Sequence, residues 1–330
     1  MLIADRIVKT IRCKENDGNG EIMKNTLFLG NGINRWEGNK QISWGDILEQ
    51  LAQDNHLQLA FEDNNKLAHL EPYTFFYERV VLSASHHNYD KKVEENIKEK
   101  IAEELHSVVP SPYLKQFLTI PHFQNIITTN YDYGIEAALQ ADAFQVTGND
   151  SSETIYSIRR KRELMKESTS CTIWHIHGEI NDPKSIMLGL DHYCGGIGKI
   201  NDYIKGTYYL KNKQKRIGKM TEKIASNQFD DDSWLDLFFH SNLFFVGFGL
   251  DYSENDIWWV LNKRARIWGE MKLAKTKKNK VYYYANIIDL KKKLILQDFD
   301  VEVIEINDPD WAQYYAKVMK DIKEKTAVHN

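Results

Sequence analysis

Two short motifs place an amide, a carboxylate and two imidazoles beside predicted strand ends. The first is Thr-Thr-Asn-Tyr-Asp at residues 128–132, and the second is His-Ile-His-Gly at residues 175–178. Asn130 and Asp132 are two residues apart, so an extended backbone directs both side chains to the same side. These groups suit hydrogen bonding to a ribose hydroxyl and a carboxamide. Histidine titrates near neutral pH, which makes His177 the candidate general base.

Each of these residues also has an alternative structural role. Asp132 could cap a helix that is predicted to begin at Tyr133. His177 could be a packed core histidine, and His175 is expected to be buried behind it. The His-x-His pair raises the question of a metal site, but no third ligand with a suitable spacing follows nearby. We therefore expect no metal.

A glycine-rich segment after the first predicted strand is a candidate nucleotide loop. Gly30-Asn31-Gly32-Ile33-Asn34-Arg35 follows the apolar run Thr26–Leu29. Glycines let backbone amides approach a pyrophosphate. The dinucleotide fingerprint requires a third glycine where Arg35 stands, so an ordinary glycine turn is the alternative. Gly247-Phe248-Gly249 and Asn286 follow two later apolar runs and are further candidate contacts.

The motifs lie at the ends of apolar runs that are predicted to be buried strands. Such strands alternate with helical patterns, which is typical of an α/β protein with a doubly wound, parallel, Rossmann-like sheet. Ligands bind such sheets outside the carboxyl ends of the strands. The expected strands are Thr26–Leu29, Phe123–Thr128, Thr172–Ile176, Leu243–Val246, Val281–Ala285 and Val301–Ile306, with a further possible strand at Ser185–Leu188.

Two helical regions interrupt the predicted sheet. Residues 66–118 carry apolar side chains at helical spacing and are predicted to form an inserted helical module. A second helical insertion is expected at about residues 191–240. The Rossmann-like domain then covers residues 25–65 and 119–330, and residues 1–24 form an N-terminal helix and loop extension.

Composition narrows the classes of partner. A net charge of −4 gives no overall field for nucleic acid, which is not expected as a direct ligand. Three cysteines without a CxxC pair exclude a four-cysteine zinc site within one chain and argue for a reducing cytosol. No apolar run approaches the roughly 20 residues of a membrane span. We expect a cytoplasmic protein with no membrane partner. The basic cluster Arg159–Arg162 is predicted to lie in a surface turn.

Taken in order, the motifs resemble those of the sirtuin-like superfamily. Sirtuins carry Gly-Ala-Gly-x-Ser, Thr-Gln-Asn-x-Asp, His-Gly, a Gly-x-Ser strand end, and an Asn after a later strand. The corresponding segments of this chain are Gly30–Asn34, Thr128–Asp132, His177-Gly178, Gly247–Gly249 and Asn286.

The chain also departs from the sirtuin deacylases. It cannot build their four-cysteine zinc ribbon, and Arg35-Trp36-Glu37-Gly38-Asn39 stands in place of their Gly-Ile-Pro-Asp-Phe-Arg cofactor loop. Asn34 replaces the family serine, and Thr129 replaces the family glutamine. The pattern is more similar to the zinc-ribbon-less bacterial sirtuin-like domains of anti-phage defence, which hydrolyse NAD. Related motifs occur in abortive-infection proteins.

This resemblance implies that NAD binds across the sheet crevice as the substrate. The backbone amides of Gly30 and Gly32 would hold the pyrophosphate, with Asn34 nearby. The Tyr131 backbone and Asp132 would hold the nicotinamide carboxamide. The other candidate NAD-binding residues are Asn31, Thr129, Gly247, Gly249 and Asn286.

The catalytic residues implied by the resemblance are Asn130 and His177. Asn130 would orient the nicotinamide ribose or the attacking water, and His177 would act as general base or contact the ribose hydroxyls. Replacing either residue by alanine is expected to abolish NAD loss without affecting folding.

The implied function is NAD hydrolysis that depletes NAD during infection. Uncontrolled activity would harm the host, so we expect control by homo-oligomerisation or by a separately encoded partner such as an ATPase. The two helical insertions are the expected contact surfaces. The alternatives are an NAD-dependent protein deacylase and a non-catalytic sensor of NAD or ADP-ribose.

Overall fold

The computed structural model describes residues 23–34, 44–54, 72–86, 88–106, 109, 111–120, 123–150, 153, 155–210, 214–271 and 278–327. Within these ranges the chain forms ten strands and eleven helices. The N-terminal extension predicted at residues 1–24 lies outside the described residues except for its last two positions. Residues 35–39, which stand in place of the sirtuin cofactor loop, also lie outside them.

An eight-stranded sheet forms the centre of the fold, and a separate two-stranded hairpin lies beside it. The hairpin consists of β6 and β7. In chain order the strands are β1 (Lys24–Leu29), β2 (Phe123–Thr128), β3 (Gln145–Asp150), β4 (Lys161–Lys166), β5 (Thr169–His175), β6 (Tyr209–Leu210), β7 (Lys215–Arg216), β8 (Ser241–Val246), β9 (Val281–Ala285) and β10 (Glu302–Glu305).

The main sheet is doubly wound. Its strand order is β10-β9-β8-β1-β2-β5-β4-β3. β1 pairs in parallel with β2 on one side and with β8 on the other, whereas β4 is antiparallel to both of its neighbours. From β1 the chain enters the neighbouring β2, passes to the edge strand β3, comes back through β4 to β5 beside β2, and then crosses to β8 on the other side of β1. The direction of winding therefore reverses between β1 and β8, as expected for a Rossmann-like sheet.

The helices pack on both faces of the sheet and in a third group beside it. They are α1 (Trp44–Asp54), α2 (Tyr73–Ala84), α3 (Lys91–Leu105), α4 (Pro112–Leu118), α5 (Gly134–Gln140), α6 (Leu190–Lys205), α7 (Met220–Ser226), α8 (Trp234–His240), α9 (Asn255–Met271), α10 (Leu290–Asp298) and α11 (Trp311–Ala327). No helix among the described residues is both long and apolar enough to cross a bilayer.

The packing of β1 explains why the central strands are continuous apolar runs in the sequence. Successive side chains of a strand point to opposite faces. Phe28 packs in the cluster with α6, α8 and α9, and its ring stacks on Phe245 at 4.3 Å between centroids. Leu27 and Leu29 pack on the other face with α4, α5 and α11. Both faces are covered, so every position of the strand after Lys24 is buried.

The helical regions differ from the predicted insertions in how they pack. α1, α2 and α3 pack together in one cluster, which also includes Tyr131, Ile180, Ile186 and Leu188 from segments that follow β2 and β5. α4 instead packs with the sheet. The region at 191–240 contains α6, α7 and α8 as expected, but it also contains the β6–β7 hairpin. Its side chains join the main core, so it is integral to the domain.

Two local predictions were wrong. Ser185–Leu188 is not a strand, because Pro183–Ser185 forms a short 3-10 helix and the Ser185 hydroxyl donates to the Asp182 carbonyl. Arg159–Arg162 is not a surface turn. Arg159 and Arg160 are buried because each meets an acidic partner: their guanidinium groups lie 3.1 Å from Asp150 and 3.2 Å from Glu179, respectively.

Candidate active site

A cavity of about 600 Å³ lies at the carboxyl ends of β1, β2, β8 and β9. This is the position where doubly wound sheets bind ligands, and the volume is within the range of about 300–1,000 Å³ found for such sites. Of the residues predicted from the sequence, those that line it are Asn31, Gly32, Thr129, Asn130, Gly247, Gly249 and Asn286.

The glycines after β1 and β8 pack directly against one another. The Gly30 N–H donates to the Val246 carbonyl at 3.1 Å, and the Gly32 N–H donates to the Gly247 carbonyl at 2.7 Å. A Cβ on Gly30 or Gly32 would lie 2.6 Å from the Gly247 oxygen. Gly247 itself has a φ of +63°. The structure thus gives these glycines a packing role, and the amides of Gly30 and Gly32 are already engaged within the protein.

Asn31 and Asn34 have unequal access to the cavity. Asn31 lines it, and Asn34 is buried behind it with its Nδ2 donating to Asn31 Oδ1 at 3.3 Å. Asn34 Oδ1 has no hydrogen-bond partner among the described residues. Asn34 therefore orients Asn31.

The segment Thr128–Asp132 begins with a hydrogen bond from β2 to β1 and continues with two residues that line the cavity. The Thr128 hydroxyl donates to the Leu29 carbonyl at 2.8 Å and accepts the Asn130 N–H at 3.0 Å. This holds the turn so that Thr129 and Asn130 reach the cavity wall.

Tyr131 and Asp132 are not brought to the cavity. Both side chains are buried, and the Tyr131 hydroxyl donates to the Met187 carbonyl at 2.6 Å. Asp132 Oδ1 accepts the N–H of Gly134, the first residue of α5, at 2.8 Å. Burial raises the pKa of Asp132 above its ordinary value. These contacts match the alternative role of Asp132 at a helix start.

His175 is fully buried, as expected, and fixes the backbone of Asn130. Its Nδ1 lies 3.1 Å from the Asn130 carbonyl oxygen and its Nε2 lies 2.7 Å from Glu136 Oε1. The Asn130 carbonyl is an acceptor, so the ring donates to it from Nδ1. Burial is the largest single effect and opposes the charged form of the ring, but Glu136, the Asn130 carbonyl and Glu179 together outweigh burial and raise the pKa of His175.

His177 lies between two carboxylates and is only 2% exposed. Its Nε2 is 2.9 Å from Asp256 Oδ2, and its Nδ1 is 3.5 Å from Glu254 Oε2. Tyr193 packs edge-on against the ring at 5.4 Å. Burial again opposes the charged form, but Asp256 and then Glu254 outweigh it and raise the pKa of His177.

His177, Glu254 and Asp256 form a triad of side chains, and Glu254 is its member that lines the cavity. Burial is the main cause that raises its pKa to about 7, and the nearby charges of Asp256 and Asp251 act in the same direction. His177 and a hydrogen bond from the Tyr193 hydroxyl, at 3.3 Å, oppose this rise. A carboxyl group with such a pKa can exchange a proton near neutral pH.

Glu254 and Asp256 were not predicted as site residues. From the sequence they are acidic residues at the start of a helix, where a carboxylate is favourable in any protein. The one further signal is their position directly after the Gly247–Gly249 strand end.

The same three side chains could surround a cation. One donor atom from each of His177, Glu254 and Asp256 lies within 4.8 Å of the others. However, the two carboxyl groups face opposite nitrogens of one ring: Asp256 is hydrogen-bonded to Nε2, and Glu254 lies at ion-pair distance from Nδ1. This arrangement favours proton exchange between these groups over metal ligation.

The remaining predicted contacts are Gly249, which follows β8, and Asn286, which follows β9, and both line the cavity. A Cβ on Gly249 would meet open space, whereas the Asn286 amide is held by the backbone of Asp308. Asn286 Nδ2 donates to the Asp308 carbonyl at 2.7 Å, and its Oδ1 accepts the Asp308 N–H at 2.9 Å. Asn286 therefore fixes the loop that follows β9.

A comparison with known protein families matches part of this chain, and the matched segment runs through the candidate site. Residues 124–258 match the family model of the SIR2-like domain. The matched segment runs from β2 into α9 and so contains Asn130, His177, Glu254 and Asp256. The match supports a sirtuin-like family and an NAD-related function, and it is compatible with an NAD-utilising enzyme. A search of curated proteins found no match.

Proposed function

We propose that the chain hydrolyses NAD⁺ to nicotinamide and ADP-ribose. The observation that carries this proposal is the convergence of two parts of the SIR2-like segment on one cavity. Asn130 lines it from the end of β2, and Glu254 lines it from the start of α9 with His177 and Asp256 behind.

The chemistry requires little more than positioning and charge. Nicotinamide leaves as a neutral base, so its departure needs no acid. The ribose passes through an oxocarbenium-like state that a nearby carboxylate stabilises. Asn130, whose backbone is held by Thr128 and His175, would orient the ribose or the attacking water.

Two alternatives differ from hydrolysis in their products. A deacylase would consume an acyl-lysine peptide and form O-acyl-ADP-ribose. A sensor would bind NAD or ADP-ribose without turnover. The chain's three cysteines cannot form the zinc ribbon of sirtuin deacylases, which favours hydrolysis over deacylation.

The test is to incubate the purified chain with NAD⁺ and to quantify nicotinamide and ADP-ribose by chromatography. Asn130→Ala should lower the rate by about 10²–10⁴-fold, the usual cost of losing a group that acts on the reacting atoms. Asn149→Ala is the matched control. Asn149 is an exposed amide on β3, an edge strand of the sheet that does not border the cavity. Absence of nicotinamide release by the wild type refutes the proposal.

We further propose that this activity depletes NAD in anti-phage defence and is controlled by oligomerisation or by a separately encoded partner. The support is the resemblance to defence proteins and the exposed apolar residues of the helical module, such as Phe75 and Leu82. Cells that express the chain should lose NAD on phage infection, and cells with Asn130→Ala should not. Equal NAD loss in both would contradict this role.

A further inference from the structure

We propose that Glu254, rather than His177, is the general base that takes the proton from the attacking water. This inference rests on the proposed NAD hydrolysis and names the group that exchanges the proton in it. His177 and Asp256 then act as positioning residues that hold Glu254 at the cavity wall.

The contacts of His177 argue against its acting as the base. Each ring nitrogen faces a carboxylate oxygen, Asp256 Oδ2 at 2.9 Å and Glu254 Oε2 at 3.5 Å. His177 Nε2 is hydrogen-bonded to Asp256, and Nδ1 lies at ion-pair distance from Glu254. Both ring nitrogens are therefore directed at protein side chains and not at a water molecule in the cavity. The ring is also 2% exposed, and it is absent from the cavity wall.

The contacts of Glu254 suit it to this role. Its side chain is 19% exposed and lines the cavity together with Asn130. Two groups contact its Oε2, the His177 ring at 3.5 Å and the Tyr193 hydroxyl at 3.3 Å. Neither of these contacts uses Oε1. One oxygen therefore anchors the side chain, and the other can face the substrate.

The charges around Glu254 support proton exchange near neutral pH. His177 and Asp256 face it from the end of β5 and the first turn of α9, Tyr193 faces it from α6, and Asp251 faces it from the loop after β8. His177 and Tyr193 favour the carboxylate, whereas burial and the two aspartates favour the acid. The balance places the pKa of Glu254 at about 7.

The proposed step balances without any further reactant. The water oxygen forms a bond to C1 of the nicotinamide ribose as the bond from C1 to the pyridinium nitrogen breaks. The electron pair of the broken bond neutralises nicotinamide. The proton of the water passes to the Glu254 carboxylate and is then released to solvent, which leaves ADP-ribose.

The experiment compares nicotinamide release from NAD⁺ at pH 5–9 by the full chain and three variants. Glu254→Gln should lower kcat by about 10²–10⁴-fold with little change in KM, because the amide keeps the shape but accepts no proton. The wild-type rate should rise through about pH 7, and this dependence should vanish in Glu254→Gln. Glu254→Asp keeps the carboxylate and should retain more activity than Glu254→Gln.

Asp251→Asn removes the same unit of charge from another carboxylate on the cavity wall. It should lose less than about tenfold, and the pH dependence should persist with its midpoint shifted below about pH 7, because Asp251 helps to raise the pKa of Glu254. If Asp251→Asn matches Glu254→Gln, a general charge effect replaces the specific base, and the inference fails.

Three results separate the outcomes. A wild type that releases no nicotinamide refutes the proposed hydrolysis itself. An active wild type with a similarly active, pH-dependent Glu254→Gln variant refutes Glu254 as the base and leaves the hydrolysis standing. Loss of wild-type activity on chelation with EDTA, restored by a divalent cation, overturns the inference in favour of a metal at the triad.

Discussion

His177 lies between two carboxylates, so its removal affects stability as well as activity. His177→Ala removes the ring that contacts Oδ2 of the buried Asp256 and that lies next to Glu254. Breaking such a buried pair costs about 3–5 kcal/mol. We expect His177→Ala to lower the free energy of unfolding by about that amount, measured in urea. The sequence-based expectation of intact folding therefore applies better to Asn130→Ala. Equal unfolding midpoints for the two variants would contradict this prediction.

Glu254 should make stability depend on pH. Its pKa is raised from 4.5 to about 7 in the folded chain. A raised pKa contributes stability that is fully present below the unfolded value and is lost as the pH rises through the folded value. Wild-type stability should therefore fall between about pH 4.5 and 7, whereas Glu254→Gln lacks this loss.

The two proteins can be compared directly in denaturant. The stability of Glu254→Gln relative to the wild type should rise by about 2–3 kcal/mol from pH 4.5 to pH 8, from a shift of between two and three pKa units. Parallel stability curves for the two proteins would show that this carboxyl group titrates normally.

Some site residues were predictable because their types are unusual at strand ends. Asn130 and His177 were singled out in this way. Glu254 and Asp256 were not, because a carboxylate at a helix start is common and the contact with His177 spans 77 and 79 residues of sequence. Tyr131 and Asp132 share a motif with Asn130, but the turn into α5 directs their side chains into the protein.

At the scale of elements, the loops after β1 and β8 are joined by glycines that admit no side chain. A Cβ on Gly30 would lie 2.6 Å from both the Gly247 oxygen and the Phe248 Cα. Such overpacking costs about 1–3 kcal/mol. Gly30→Ala should therefore lower the free energy of unfolding by this amount and weaken NAD binding through displacement of the cavity wall.

Gly249→Ala is the matched control for the glycine prediction. It lies in the same loop after β8, but an added Cβ meets no atom within 4 Å. Its stability should stay within about 0.5 kcal/mol of the wild type. Thermal unfolding of the two variants checks both expectations. A Gly249→Ala variant as unstable as Gly30→Ala would show that loop flexibility, and not loop packing, requires glycine here.

The six predicted strands of the sheet were found because burial on both faces requires continuous apolar sequence. β1, β2, β5, β8, β9 and β10 were recognised in this way. The β3–β4 hairpin was missed because its sequences, QVTGND and KRELMK, are polar and lie toward the edge of the sheet. There the charged residues pair with one another, as Arg162 does with Glu179 at 3.0 Å. Edge strands are commonly charged, and periodicity alone does not reveal them.

At the scale of the whole molecule, the return of the chain from β5 to β8 brings distant residues together at one end of the sheet. β8 lies beside β1, so the segment 247–254 faces the loops after β1 and β2 across the cavity. Alternation of strands and helices predicts such a crevice. Which residues line the crevice, however, depends on the order of the strands in the sheet. That order is set by packing between elements far apart in sequence, which a single sequence does not display.

Control by self-association predicts that specific activity depends on protein concentration. Phe75 and Leu82 are 53% and 41% exposed and lie two turns apart on α2, in the helical module. Replacing them by Glu and Lys should leave the fold intact, because neither side chain is buried, and should reduce assembly measured by light scattering. Tyr209, 52% exposed in the β6–β7 hairpin, provides the comparison as Tyr209→Ser on the other predicted contact surface. Loss of assembly only in Tyr209→Ser would move the contact to that surface. A monomer whose specific activity is constant over concentration would exclude self-association and leave a partner protein as the means of control.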